Sequence, residues 1–150
     1  MPPTHAGMSV MGRSLVRTQA STVRGQHVIT GYVIGESLRP GAVFEPRGLR
    51  LLKVSRVDLA SSATDGQPQL WTFVEWESDG EDIAALADAF AAALEPENGW
   101  YADFTAGDER VVVFAGKVFR YRRGDEAGRA EAIAYGRSVG TPEHQLDWEE

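Results

Sequence analysis

Glu75 and Glu77 stand two residues apart in the run LWTFVEWE (70–77), beside Trp71, Phe73 and Trp76. Alternate residues of a strand share a face, so both carboxylates would project together, about 7 Å apart at the backbone. Such a pair can do acid–base chemistry if a neighbour raises one pKa. It can also hold a cation, because indole faces attract ammonium and guanidinium groups while carboxylates supply the counter-charge. Trp100, Tyr101 and Asp103 repeat the pairing of ring and acid in a second stretch. The expected binding set is therefore Trp71, Phe73, Glu75, Glu77, Trp100, Tyr101 and Asp103, offered to a cationic small molecule or a basic protein. Were the protein instead a small enzyme acting on a polar or amine-bearing metabolite, Glu75, Glu77 and Asp103 would be its acid–base groups. A blander account competes with both: the rings fill a core and the acids form its rim.

Charge is strongly segregated along the chain. Residues 58–109 contain thirteen Asp and Glu, no Lys or Arg, and seven of the fourteen aromatics. Residues 1–57 carry eight basic residues against Glu36 and Glu45, and residues 110–150 balance seven against seven. Net charges of +6, −13 and 0 give the chain its −7. A one-signed field selects partners by sign and steers their approach. It argues against nucleic acid as the partner, since phosphate contacts supply most of that affinity. The run of Lys117, Arg120, Arg122 and Arg123 around Phe119 and Tyr121 imitates a single-strand binder, but an amphipathic hairpin has the same pattern.

Other chemistries find little support. With no cysteine there is no thiolate nucleophile, disulfide or Cys-ligated zinc, which fits a cytoplasmic location. His5, His27 and His144 are scattered, and His144 with Asp147 supplies two of the three or four ligands a zinc site wants. No metal or cofactor is expected. The first thirty residues lack a basic then apolar leader pattern, and no apolar run approaches the ~20 residues that cross a bilayer.

The elements that must position these residues follow from periodicity. Residues 27–34, 50–59 and 70–77 read as strands, with Asp65-Gly66 in the connection before the last. LWTFVEWE begins apolar on both faces, which places it centrally in a sheet. Ile83, Leu86, Ala87, Phe90 and Leu94 recur at helical spacing, with Ser78 and Glu81 as a capping box and Pro96 as the stop. Residues 99–104, 110–114 and 117–122 form a three-stranded meander. A second helix spans 125–138 and packs through Ala130, Ile133, Ala134 and Tyr135, and Leu146 and Trp148 dock the tail. Residues 1–12 form a loose arm, and 13–20 a possible short strand.

Hairpin-connected strands interrupted by helices predict one α+β domain over 13–150, an antiparallel sheet of five to seven strands with two helices packed on it. The stretches WYADF (100–104), FAGKVFRY (114–121), AYGR (134–137) and GTPEHQLDW (140–148) are similar to small uncharacterised proteins of high-GC Gram-positive bacteria. That resemblance covers the C-terminal third and implies no activity or catalytic residue. The sequence thus points to a non-catalytic binding module with an acidic, aromatic-bearing surface. The enzyme is the alternative, and a homo-oligomeric subunit is a third possibility. One geometry removes the basis of the first: arginines of the N-terminal third in register against the acids.

Overall fold

The computed structural model describes residues 21–23, 26–59, 67–146 and 148. The arm at 1–12, the short strand at 13–20 and the Asp65-Gly66 connection lie outside these. The protein is α+β with antiparallel pairing throughout, as the strand and helix periods predicted. One expectation needs correction: there are two sheets, not one. Strands β1 (Ser21–Val23), β2 (Gln26–Ile34), β3 (Leu49–Asp58) and β4 (Leu70–Ser78) form a sheet of order β1-β2-β4-β3. Strands β5 (Ala102–Ala106), β6 (Glu109–Phe114) and β7 (Lys117–Arg122) form a meander of order β5-β6-β7. Helix α1 (Ile83–Ala93) falls between the sheets in sequence, and α2 (Glu126–Ser138) follows the second.

Two apolar clusters, one on each face of the strands, hold these layers together. Ile29, Val33 and Trp76 meet Leu86, Ala87, Phe90 and Leu94 of α1, together with Phe104, Val111 and Val113. Ile34, Trp71 and Phe73 meet Trp100, Tyr101, Val112, Phe114 and Tyr121, with Ala132 of α2 and the tail residues Leu146 and Trp148. Adjacent valines of β6 thus enter different clusters, so Val111–Phe114 is buried on both faces, with no residue above 2% exposure. A continuous apolar run is what such a strand requires. The two helices consequently cover opposite faces.

Local chemistry sets the ends of α1. The expected capping box does not form, because β4 runs on through Ser78 and the chain must first turn at Gly80, where φ is 73°. Asp82 caps the helix instead, its carboxylate accepting the Ala85 N–H at 2.9 Å. The Ser78 hydroxyl accepts from the Gly80 N–H. The helix packs through the periodic apolar residues that predicted it.

Helix α2 differs more. Ala130 and Ala134 face solvent, while Ile133 and Tyr135 pack at the margin of the cluster. The inward line is Gly128, Ala132 and Gly136, four residues apart, with Ala132 and Gly136 buried and Gly128 half-buried, which lets the helix backbone lie close to β7. A Cβ on Gly128 would sit 2.6 Å from the Cβ of Tyr121. The tail closes over this arrangement. Arg129 donates to the Trp148 carbonyl at 2.7 Å, Tyr101 donates its hydroxyl hydrogen to the Gln145 carbonyl at 2.9 Å, and Thr141 donates to the Gly99 carbonyl at 2.9 Å. Gly99 has φ 68° and lies against the Thr141 backbone, where any side chain would collide.

Two stability outcomes follow. Replacing a helical glycine by alanine ordinarily stabilises by about 1 kcal/mol. Gly128→Ala should instead lower the midpoint of thermal unfolding, at an overpacking cost of about 1–3 kcal/mol. Tyr121 is buried with no hydrogen-bond partner for its hydroxyl, and burial, opposed by Arg110, holds its pKa above 10.0. The folded state therefore favours the neutral phenol. That contribution is intact below pH 10.0 and is lost as pH rises through the higher folded value. Tyr121→Phe should flatten the fall of urea-unfolding free energy above that pH and cost little at neutrality.

Candidate functional site

Strand β4 does place Glu75 and Glu77 on one face, with Trp71 and Phe73 continuing the same row. It is also a central strand, paired with β2 on one side and β3 on the other. The register sets Lys53 opposite Glu75 and Arg50 opposite Glu77. Both pairs close: the Lys53 ammonium lies 3.4 Å from Glu75, and Arg50 makes an ion pair with Glu77. This is the register that weakens the sequence argument, because the acids chosen as a free negative surface carry cations from the adjoining strand.

The rings are likewise committed. Trp71 is fully buried and donates its indole N–H to the Pro68 carbonyl, and its ring centroid lies 4.9 Å from that of Trp100. Phe73 packs edge-on against Tyr32 at 5.9 Å. Tyr101 is 2% exposed and stacks edge-on with Trp148 at 5.2 Å. The structure does gather Trp71, Phe73, Trp100 and Tyr101 into one cluster, but as core beneath α2. All four are buried, and rings of this size contribute their large apolar area to the core. The expectation that they meet a partner is corrected accordingly.

Asp103 belongs to the other sheet. It is fully buried on β5 and forms an ion pair with Arg110, which also donates to the Thr105 hydroxyl at 2.9 Å. Asp103 and Thr105 face Val112 and Arg110 across the β5–β6 ladder, so register alone brings acid, hydroxyl and guanidinium together. Two cations of the basic hairpin are paired in the same manner: Arg120 pairs with Glu109 at 2.8 Å and Arg122 approaches Asp108 at 3.9 Å, while Lys117 sits 5.3 Å above the Phe119 ring. His144 is exposed on a 3-10 turn (Glu143–Gln145) whose Glu143 pairs with Arg137. Among the described residues no group of three or more His, Asp or Glu is arranged to hold a metal. No helix among them is long and apolar enough to cross a membrane.

No family model, curated protein or solved structure matches the chain. The site must therefore be argued from geometry.

What survives of the negative surface lies around α1. Among the described residues, Asp79, Glu81, Asp82, Asp88, Glu95 and Glu97 have no cation within salt-bridge distance, although Asp82 caps the helix and Asp79 accepts the Glu81 N–H. No basic residue occupies the last turn of α1, so Glu95 and Glu97 add to the negative end of the helix dipole. Beside that end the loop 39–46 and the helix enclose an open groove of about 300 Å3. Val43, Phe44, Pro46, Ala89, Ala92 and Ala93 give it an apolar part nearly matched by polar surface, and Arg39 and Glu45 add one charge of each sign. Phe44 is anchored against Phe90, with ring centroids 4.6 Å apart, while Val43 is 80% exposed. The Arg39 N–H donates to the Ala93 carbonyl at 2.8 Å, tying the loop to the helix end.

Sequence reasoning missed this groove. Its floor is alanine, and its wall is a loop with two prolines and one glycine whose side chains follow no period.

The two kinds of ion pair should behave differently on mutation. Glu77→Gln breaks a pair whose arginine is 73% exposed and should change stability by less than about 1 kcal/mol. Asp103→Asn leaves Arg110 buried without its counter-charge and should cost about 3–5 kcal/mol. Paired urea melts measure both; equal costs would contradict this assignment of surface and core.

Proposed function

We propose that the protein is a non-catalytic binding module which presents an acidic surface to a cationic ligand or a basic protein. The acidic surface is carried by α1 and its flanks rather than by β4. The supporting observation is the set of six carboxylates from Asp79 to Glu97 that, among the described residues, have no cation when Glu75, Glu77, Asp103, Asp108 and Glu109 have acquired theirs. Next to them the groove offers an apolar floor with the Phe44 ring, so a partner combining a cation with an aliphatic side chain would use both. Asp88 lies one turn before Ala92 on the exposed side of the helix, near enough to bind a cation above the groove. The cytoplasmic location expected from the absence of cysteine belongs to this reading.

The alternative of an acid–base enzyme has less support. Each carboxylate nominated for it, Glu75, Glu77 and Asp103, is already ion-paired, and Asp103 is sealed in the core.

Titrating the labelled protein with a short peptide of alternating arginine and leucine tests the proposal. Amide shifts should concentrate in 39–46 and 83–97 and weaken steeply between low and high salt, as steered association does. Asp88→Lys combined with Glu95→Lys should remove them. Salt-independent shifts, or shifts centred on β4, would count against it.

A further inference from the structure

Strand β3 is half held. It pairs with β4 along its whole length, yet among the described residues nothing lies against its outer edge, and seven of its ten residues are exposed. Four of the five large apolar side chains most open to solvent belong to it or to its neighbour: Leu51 at 63%, Leu52 at 53%, Val54 at 54% and Leu70 at 51%. Long apolar edges are ordinarily guarded by charge or distortion, because their free N–H and C=O groups template another strand. Here the guards are compromised. Lys53 and Arg50 are drawn inward to Glu75 and Glu77, which leaves the edge close to neutral.

The Leu59 N–H reaches the Gln69 carbonyl on the β4 side. Antiparallel strands alternate, so Val57, Ser55 and Lys53 also turn inward, and Arg56 and Val54 turn their N–H and C=O to the open edge. The Thr72 N–H agrees: it points the other way across β4, to the Glu36 carboxylate that substitutes for β2 beyond Ile34. The shift in register between Leu51 and Lys53 bends the start of β3, so a new ladder is confined to the segment from Leu52 onward.

We propose that a second copy of this chain pairs with this edge, β3 antiparallel to β3, with Val54 on the two-fold axis. That register is compatible in charge and side-chain type. Val54 meets Val54, Lys53 meets Ser55, and Arg56 meets Leu52, so no like charges stand directly opposite. Centring on Arg56 would set arginine against arginine, and centring on Ser55 would set Arg56 against Val54. The two four-stranded sheets become one continuous sheet across the axis, and the exposed leucines and valines of both copies are covered. The dimer is isologous and closed, so it ends the template rather than extending it. The α1 groove lies outside this contact, and the two proposals stand or fall separately.

The chain has no cysteine, so single cysteines report the geometry directly. The full chain should sediment as a dimer. Val54→Cys should form an interchain disulfide under mild oxidation, because hydrogen-bonded partners have Cα atoms about 5.5 Å apart, within disulfide reach. Val43→Cys, at a more exposed position, should not. Val54→Pro removes an N–H that no described residue accepts and should weaken self-association by about 30-fold, two hydrogen bonds being lost per dimer. A full chain that remains monomeric at every concentration overturns the proposal, whether the edge stays bare, takes a foreign strand or is covered by the chain's own N-terminal residues. So does a dimer in which Val54→Cys cross-links no faster than Val43→Cys; should the proline variant unfold, the cysteine pair decides.

Discussion

Burial of β4 runs diagonally across the strand, and the other layers take their places from it. Trp71 and Phe73 are covered on one face near its beginning, and Trp76 and Ser78 on the opposite face near its end. Two apolar layers therefore overlap on a single strand, one beneath α2 and the tail, the other beneath α1. Packing both sides of one strand lets a chain of this size bury four tryptophans without a third sheet. The diagonal also leaves two corners of the strand uncovered. At one of them Glu75 and Glu77 meet the cations of β3; at the other Leu70 is open to solvent.

Charge segregation along the sequence is largely undone in space by strand pairing. Antiparallel ladders join distant segments, and here they join the arginine-rich part of the chain to its acidic middle. β3 neutralises two acids of β4, and β6 and β7 neutralise Asp103, Asp108 and Glu109. The helix region escapes because a helix forms its backbone hydrogen bonds within itself, so no ladder draws a basic partner alongside. Among the described acids of 75–109, those left without a cation therefore lie on α1 and its flanks. Exposed pairs of this kind contribute little to stability, but they decide where the remaining field lies.

Much of the architecture was legible in the residues. The strands read at 27–34, 50–59 and 70–77 fall within a residue of those observed, and the central position of β4, the first helix and the docking of Leu146 and Trp148 also followed from periodicity and burial propensity. Three readings failed for identifiable reasons. Ser78 was needed as a strand residue and could not cap, so Asp82 did. Helix α2 packs through glycine and alanine, which carry too little hydrophobicity to register as a face. The sheet divides in two because β5 to β7 form their own meander, and the resulting covering of both faces by helices is a long-range outcome.

The sequence by itself determined which segments are strand or helix, that β4 must be buried on both sides, and that the molecule carries a large one-signed charge. These are local or additive properties, read from side-chain period and simple counting. Tertiary structure alone decided which charges remain unpaired, which rings are accessible, and which strand is left at an edge. Each depends on register between segments tens of residues apart, and a shift of one residue moves every side chain of a strand to the other face.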